Sequence, residues 1–510
     1  MTSRLIHFGR LLKWGRILAR HGALLGIERS PTAPPGLRRL ARIARLGAFL
    51  PKTPDYAGAF EKIGPAAIKL GQTLATRPDL VGEDAARDLL RLQDTLPALP
   101  FSEVRAAVEQ SLDAPLESLF ASVDPMPVGA ASVAQVHRAV TTDGRQVAVK
   151  ILRPGIEAKF ASDIETYEWI AAHAAARGGE LARLRPREVI ATFKQWTLRE
   201  LDLRREAAAA SELRAKMQAE SGYVVPEIDW KRTSRRVMTL EWIEGIKLSD
   251  KAALEAAGID LRATAITLVR TFLSQAITHG FFHADLHQGN LFVLPDGRIA
   301  AIDFGIMGRI HRQARIWLAE ILYGLITGNY RRVAEIHFDA QYVPAHHNVD
   351  EFTTALRAVG EPIRGVPVKE ISVGNMLDGL FAVTREFDMP TQPHLLLLQK
   401  TMVMVEGVAS TLDPDINMWE AAGPFVENWL RDELGPEARL ADSILQAMRT
   451  LADLPDLVRR IENSYPKPGA APPAPPLPDI ATGVGSGWRY GIAALVGGGI
   501  VYLVQSLTSF

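Results

Sequence analysis

The chain has 510 residues, 47% of them hydrophobic and 23% charged, which is typical of a globular protein with a large core. It contains no cysteine, and this excludes disulfide bonds, thiolate nucleophiles and cysteine-ligated zinc or iron–sulfur sites. The formal net charge is zero, but residues 1–45 carry ten Lys or Arg and one acidic residue, so the positive charge is a local feature of the N-terminal region.

The first 26 residues predict a basic amphipathic helix. At 100° per residue its apolar side chains fall on one face, namely Phe8, Leu11, Leu12, Trp14 and Leu18. The basic side chains fall on the other, namely Arg10, Lys13, Arg16 and Arg20. Charge interrupts the apolar positions too often for a secretory signal. Such a helix can lie on an anionic membrane surface or pack as an ordinary helix with a solvated basic face, and a mitochondrial transit peptide is a third alternative.

Helices are predicted to continue to about residue 95, with interruptions at three prolines. They include a segment that contains Lys69, Gly71 and Gln72. Taken alone, a lysine in this setting is expected to face solvent.

A strand–turn–strand unit is predicted between residues 127 and 150. Its last strand ends in Val-Ala-Val-Lys150, which matches the lysine that contacts nucleotide phosphates in kinases; a buried structural lysine is the alternative. Kinases carry a glycine-rich loop before this strand, whereas this loop has one glycine, so its side chains would hold a nucleotide farther away or in a different pose. The loop residues assigned to the nucleotide are Val128, Gly129, Ala130, Ala131 and Ser132.

Residues 193–216 predict one continuous helix rich in Ala, Leu, Glu and Arg. It carries Glu200, Asp202 and Glu206. A pair between Lys150 and Glu206 would reproduce the strand-to-helix ion pair that orders the small lobe of a kinase. The alternative is a surface helix whose arginines neutralise these acids, and for Glu200 and Asp202 the sequence alone does not decide.

Residues 281–305 predict a loop followed by a hairpin with an Asp-Gly turn, which would bring its two ends together. Asp285, Asn290 and Asp303 are therefore expected to converge. Carboxylate and amide oxygens are the ligands that Mg²⁺ prefers, and the same order of residues occurs in protein kinases. A zinc site built from His283, Asp285 and His287 is the alternative.

The C-terminal region predicts a membrane anchor. Residues 465–478 contain seven prolines and predict a semi-rigid tether. Residues 488–510 carry one charge and predict a transmembrane segment, and the basic residues before it would keep the globular part in the cytoplasm. The alternative is a C-terminal helix packed into the protein.

Jointly, these motifs resemble those of the UbiB atypical-kinase family, which is linked to ubiquinone biosynthesis, and the resemblance covers about residues 50–460. The motifs are Lys69-Leu-Gly-Gln72, the Ala-rich loop 129–132, Val-Ala-Val-Lys150, Glu200-Leu-Asp202, His-Ala-Asp285-Leu-His-Gln-Gly-Asn290 and Asp303-Phe-Gly305. The resemblance implies an α+β, atypical protein-kinase-like two-lobe fold with an N-terminal helical extension and a C-terminal membrane helix. It also implies that Lys69 pairs with Glu200 and Asp202.

The implied organisation has six parts. They are a basic amphipathic region (1–50), a helical extension with Lys-x-Gly-Gln (51–120), a kinase-like N-lobe (121–245), a helical C-lobe (246–462), a Pro-rich tether (463–487) and a transmembrane segment (488–510).

By the resemblance, the chain is expected to bind ATP and Mg²⁺, to hydrolyse ATP and to support quinone assembly at a membrane. The implied catalytic residues are Asp285, Lys150 and Lys69. Asn290 and Asp303 would hold the metal, while Glu200, Asp202 and Glu206 join Lys150 and the loop 128–132 in nucleotide binding. The expected partners are a prenylated quinone precursor or membrane lipid and ubiquinone-biosynthesis enzymes, with no nucleic acid. The expected location is the bacterial inner membrane, and the mitochondrial inner membrane is the second choice.

Two other functions stay open. One is a catalytically silent nucleotide-binding scaffold that presents quinone precursors, and the other is a regulatory protein kinase. The sequence His283-Ala-Asp285 lacks the Arg that reads a phosphorylated activation loop in protein kinases, and no Ala-Pro-Glu follows Gly305 at the usual distance. Both features indicate a lipid or other small acceptor. The family's bacterial members often have two C-terminal membrane segments, whereas this sequence predicts one.

Overall fold

The structure, a computed structural model, describes residues 2–24, 42–43, 53–75, 83–89, 91–92, 97–131, 133–176, 186–361, 382–390 and 393–434. Ser132, the predicted tether and the predicted segment 488–510 lie outside these residues. The described chain divides into two compact units. The first extends to Ser211 and includes Pro226–Trp242, and the second comprises Glu212–Val225 and the described residues from Ile243 onward.

Helices and short strands alternate along the chain, which confirms the predicted α+β class. The helices are α1 (Thr2–Arg20), α2 (Tyr56–Ile63), α3 (Pro65–Ala75), α4 (Glu83–Leu89), α5 (Phe101–Leu112), α6 (Leu116–Leu119), α7 (Ile156–Ala176), α8 (Pro186–Glu200), α9 (Leu203–Met217), α10 (Lys251–Ala256), α11 (Leu261–Leu273), α12 (Arg312–Thr327), α13 (Tyr330–Asp339), α14 (Val349–Gly360), α15 (Pro393–Leu412) and α16 (Met418–Leu434). The strands are β1 (Phe120–Val123), β2 (Gly129–Ala130), β3 (Ala134–Thr141), β4 (Gln146–Leu152), β5 (Tyr223–Val224), β6 (Val237–Glu241), β7 (Ile246–Lys247), β8 (Phe281–His283), β9 (Leu291–Val293), β10 (Ile299–Ala301) and β11 (Met307–Arg309).

The sheet of the first unit has the strand order β1-β3-β4-β6, with β2 paired to β3. On β4 the buried Val147, Val149 and Ile151 alternate with the half-buried Lys150, as the two-residue period of a strand requires. The buried face packs against α5 through Val104 and its neighbours. Lys150 therefore projects from the opposite face of the sheet.

The prediction of a single helix over residues 193–216 is wrong, because the chain bends between α8 and α9. The N–H of Leu203 donates to the carbonyl of Arg235 (2.9 Å) and so leaves the helical ladder for a distant segment. Asp202 accepts a hydrogen bond from the backbone N–H two residues later (3.2 Å), as side chains at helix N-termini do. Glu206 consequently lies in the first turn of α9.

One face of helix α1 packs against α7, and contact of its other face with a membrane surface stays a prediction. His7 contacts Thr166 (Nδ1 to Oγ1, 3.1 Å), and the rings of Trp14 and Tyr167 are 5.3 Å apart. His7 is buried although it was not assigned to the apolar face, whereas Leu12, which was, is 48% exposed. The packing partner thus determines which face is buried, since the apolar residues of α1 extend around much of the helix.

The sheet of the second unit has the order β5-β10-β9-β7. Strands β9 and β10 form the predicted antiparallel hairpin, with Leu291 opposite Ala301. Its turn closes when Leu294 donates to the carbonyl of Arg298 (2.8 Å), and Gly297 has a φ of 84°, which favours glycine. A separate antiparallel pair, β8 and β11, lies in the same unit.

Strand β11 approaches β8 closely because Gly308 lies directly opposite Phe282. A Cβ atom at position 308 would meet the Phe282 ring at 2.1 Å. We expect Gly308→Ala to lower the free energy of unfolding by about 1–3 kcal/mol, as overpacking does. Gly407→Ala is the control, because a Cβ there meets nothing within 4 Å and replacing a mid-helix glycine stabilises by up to about 1 kcal/mol. Urea unfolding of both variants measures the difference, and equal midpoints would contradict the close packing.

One segment of the described chain, Leu395–Leu412 in α15, is long and apolar enough to cross a membrane by length and composition. Its mean hydropathy is 1.3, and 33% of it is buried inside the protein. The helix packs against α11 and β11 within the second unit. Large apolar side chains on the same helix, Leu396 and Val403, are exposed (43% and 40%).

Candidate active site

In the first unit, Lys150 on β4 pairs with Glu206 on α9. The Lys150 Nζ donates to the Glu206 Oε1 at 2.6 Å, and the side chains are 17% and 10% exposed. Such a short bond between largely buried charges is a strong interaction, because water screens it little. The alternation of β4 and the start of α9 together direct these two side chains at each other.

Part of the loop assigned to the nucleotide is hydrogen-bonded within the sheet. The N–H of Val128 donates to the carbonyl of Val136 (2.8 Å), and that of Ala131 donates to the carbonyl of Ala134 (2.7 Å). Gly129 and Ala130 form β2. Two backbone donors that a glycine-rich loop would offer to phosphate are therefore engaged within the hairpin.

Lys69 on α3 lies next to Glu200, one of its two expected partners. Its Nζ is 3.2 Å from the Glu200 Oε2, and both side chains are partly exposed. Both carboxylate oxygens of Asp202 accept from the Arg204 guanidinium (2.9 and 2.7 Å), and the expected pairing of Asp202 with Lys69 stays a prediction. This bidentate hydrogen bond also lowers the pKa of Asp202.

The residues that follow Lys69 fix the position of its helix. A Cβ at Gly71 would lie 2.3 Å from Leu92 and 2.8 Å from Phe60, so the position requires glycine for close packing. Gln72 donates to the carbonyl of Leu92 at 3.3 Å. The motif therefore has a packing role in addition to the lysine.

In the second unit, His283 joins the loop of Asp285 to the backbone of Asp303. Its Nδ1 accepts from the N–H of Asp285 (3.1 Å), and its Nε2 makes a short contact with the carbonyl oxygen of Asp303. Since Nδ1 accepts, the ring proton lies on Nε2 and is donated to that carbonyl. Burial lowers the pKa of His283, which keeps the ring neutral.

Asn290 completes this arrangement. The Asn290 side-chain Nδ2 donates to the backbone carbonyl of Asp285 (3.2 Å). The backbone carbonyl of Asn290 accepts from the N–H of Ile302 (3.1 Å). The carboxylate of Asp303 accepts from the N–H of Gly305 (2.9 Å). Hydrogen bonds of His283 and Asn290 thus link the segments that carry Asp285, Asn290 and Asp303, and the convergence of their side-chain oxygens stays a prediction.

The oxygen set of this loop fits Mg²⁺. Because its Nδ2 donates a hydrogen bond, the Asn290 amide can offer its oxygen to a metal, and the carboxylates of Asp285 and Asp303 in the same segment are half-buried. The alternative zinc site is not supported, because both ring nitrogens of His283 are engaged in hydrogen bonds.

Two basic residues flank the Asp285 carboxylate. The Lys400 Nζ is 3.6 Å from one oxygen, and the His287 Nε2 is 3.8 Å from the other. Lys400 was missed in the sequence because it lies far downstream, on α15. The one signal was a single charged residue, the lysine, within the mostly apolar stretch Leu-Leu-Leu-Leu-Gln-Lys-Thr-Met-Val-Met-Val.

Buried histidines make the stability of the chain depend on pH. Burial lowers the pKa of His283, His137 and His337, so the unfolded chain takes up protons near pH 6.5 that the folded chain does not. The free energy of unfolding is therefore expected to be highest above about pH 6.5 and to fall as the pH drops below it. Urea unfolding at pH 8 and pH 5.5 measures this loss. His283→Gln should lower stability at both pH values but reduce the difference between them; an unchanged difference would contradict the assignment.

Two family models match the chain. Residues 91–337 match the ABC1 atypical kinase-like domain, and residues 356–417 match the UbiB helical domain. Asp285 thus lies in the first of these segments and Lys400 in the second.

Several relatives are similar to this chain over most of their length. A protein named probable protein kinase UbiB from Marinobacter nauticus is 42% identical over 382 residues, which are 74% of this chain and 70% of that protein. Proteins of the same name from Aeromonas salmonicida (39% identical, 82% of this chain and 79% of that protein) and Pseudomonas putida (37%, 91% and 88%) are also similar. A solved structure, the Rv3197–erythromycin complex from Mycobacterium tuberculosis, is 26% identical with a TM-score of 0.50 and covers 69% of this chain and 90% of that chain.

Proposed function

This chain belongs to the UbiB family of atypical kinases, and from that premise we propose that it binds Mg-ATP and transfers or hydrolyses the terminal phosphoryl group at a membrane, in support of ubiquinone biosynthesis. The observation that carries the proposal is the loop held by His283, which joins Asp285 to Asp303. A neutral, buried histidine in this position fixes two carboxylate-bearing segments at once.

Each polar residue has a proposed role. Asp285 orients the attacking hydroxyl or water and accepts its proton. The acceptor oxygen bonds to the γ-phosphorus as the bond from that phosphorus to its bridging oxygen breaks, and ADP leaves. Asn290 and Asp303 would hold Mg²⁺, and the bound ion would neutralise negative charge on the phosphate oxygens. Lys150, oriented by Glu206, binds phosphate, and the loop around Gly129 contacts the nucleotide.

Lys69 and its partner have a regulatory role in this proposal. A partly exposed ion pair such as Lys69–Glu200 contributes about 0–1 kcal/mol, so it can open without a large cost. We assign Lys69 to the nucleotide site when the pair is open. Asp202, which Arg204 holds, is assigned to the N-terminus of α9.

The segment after Gly305 supports a small acceptor, such as a prenylated quinone precursor. Strand Met307–Arg309 pairs at once with Phe281–His283, and a helix begins at Arg312. Few residues are left for the activation segment on which a protein kinase docks a peptide.

Helix α1 supports contact of the globular part with a membrane. Ile6 and Leu12 are 55% and 48% exposed, and Lys13 and Arg16 are exposed on the same helix. Exposed apolar and basic side chains together favour an anionic lipid surface. The proposed location is the cytoplasmic face of the bacterial inner membrane.

The test has two parts. Titration with a fluorescent ATP analogue should show binding that requires Mg²⁺, and ATP hydrolysis should rise when vesicles carry a prenylphenol. Binding without turnover under any condition would favour the silent scaffold. Transfer of labelled phosphate to a protein faster than ATP hydrolysis would favour the regulatory protein kinase.

A further inference from the structure

The carboxylate of Asp285 is held between two basic side chains, one for each oxygen. The Lys400 Nζ lies 3.6 Å from Oδ1, and the His287 Nε2 lies 3.8 Å from Oδ2. His287 belongs to the same loop as Asp285, whereas Lys400 is contributed by α15. The basic partner of the proposed catalytic base therefore comes from the segment that matches the UbiB helical domain, outside residues 91–337.

The packing of helix α15 fixes the position of the Lys400 backbone. The neighbouring Leu398 and Thr401 are buried, and the helix packs against α11 and against β11, the strand paired with β8. At its other end the Lys251 Nζ donates to the carbonyls of Thr411 and Leu412, both at 3.2 Å. The lysine thus reaches Asp285 from a helix that is anchored at several points.

The setting of Lys400 is unusual for a surface lysine. Only two residues of α15 carry a formal charge, Lys400 and Glu406, and most of the others are apolar. The Lys400 side chain is 38% exposed and that of Asp285 is 28% exposed, so both are partly shielded from water. Lys400 therefore places the positive charge of a mostly apolar helix next to the Asp285 carboxylate.

We propose that Lys400 is a positioning residue for Asp285, through which the helical domain controls phosphoryl transfer. The ion pair holds the carboxylate in one orientation, so that it can accept the proton of the attacking hydroxyl or water. Loss of the amine allows the carboxylate to rotate, which lowers turnover more than it lowers nucleotide affinity. This inference rests on the proposed function, because it assigns Lys400 a role in the same reaction.

A double-mutant cycle with the full-length chain separates positioning from a role in folding. Lys400→Met is expected to lower kcat about tenfold to a hundredfold with a change in KM for ATP of less than about threefold. Lys400→Arg keeps the charge and should recover most of kcat. In the Asp285→Asn background, Lys400→Met should cause almost no further loss, because the group that it orients is already removed. An equal loss in both backgrounds, or no loss in either, would overturn the proposal.

Lys251→Met is the matched control, because Lys251 also contacts α15 but lies at its C-terminal end. It is expected to lower the unfolding midpoint slightly and to leave kcat unchanged. If it lowers kcat as much as Lys400→Met does, the effect belongs to the helix and the proposal fails.

The ion pair itself can be measured without turnover. Reductive ¹³C-methylation keeps the lysine charge, and the NMR signal of Lys400, assigned by its loss in Lys400→Arg, should move in Asp285→Asn while that of Lys251 does not. A Lys400 signal that does not respond to Asp285→Asn would overturn the pairing. Absence of turnover in the unmutated chain would instead contradict the proposed function, so the two failures are distinguishable.

Discussion

Replacing Asp285 by Asn is expected to lower ATP turnover by about 10²–10⁴-fold and to leave the folded structure intact. The amide has nearly the shape of the carboxylate but cannot accept the proton of the attacking group. The backbone N–H that donates to His283 and the carbonyl that accepts from Asn290 both remain, so the loop keeps its hydrogen bonds. Steady-state hydrolysis and the unfolding midpoint should be measured on the same preparation.

Asp296→Asn is the matched control for this variant. Asp296 lies in the turn of the same hairpin, where it is about half exposed and contacts Arg298. The same chemical change there should leave turnover unchanged. Full activity of Asp285→Asn would show that Asp285 is not the catalytic base, even if nucleotide binding persists.

Replacing Lys150 by Met is expected to weaken Mg-ATP binding strongly and to destabilise the first unit by about 3–5 kcal/mol, because the largely buried Glu206 carboxylate loses its ion pair with the Lys150 amine. Lys150→Met with Glu206→Leu removes both charges and should recover much of the stability. It should not recover nucleotide binding, since the cation for phosphate is still missing. Urea unfolding and nucleotide titration of the two variants therefore separate the structural effect from the functional one.

Lys194→Met is the control for this pair. Lys194 contacts Glu168 at 2.8 Å, but both side chains are more than 40% exposed, so the change should cost less than about 1 kcal/mol. If the double variant of Lys150 and Glu206 binds Mg-ATP as the unmutated chain does, Lys150 has no role in phosphate binding.

The parts of the site that the sequence predicted are those that depend on local chemistry. The Asp-Gly turn fixed the hairpin from Leu291 to Ala301, and the hairpin fixed the spacing of Asn290 and Asp303. The two-residue period of β4 likewise directed Lys150 away from the core. Each of these features is encoded within about twenty residues.

The parts that the sequence did not predict depend on distant contacts. The bend before α9 forms because Leu203 finds the carbonyl of Arg235, and helix propensity alone favours a continuous helix there. Lys400 reaches Asp285 only because α15 packs on α11 and β11. No local pattern reports which residues tertiary packing will bring together.

The contact between Lys69 and Glu200 has a consequence for solution experiments. An interaction worth no more than about 1 kcal/mol corresponds to a ratio of closed to open forms of at most about five to one. Added electrolyte screens the two partly exposed charges and moves this ratio toward the open form. In the proposed function Lys69 reaches the nucleotide site from the open form, so nucleotide affinity is expected to depend on ionic strength, and a salt series measures that dependence.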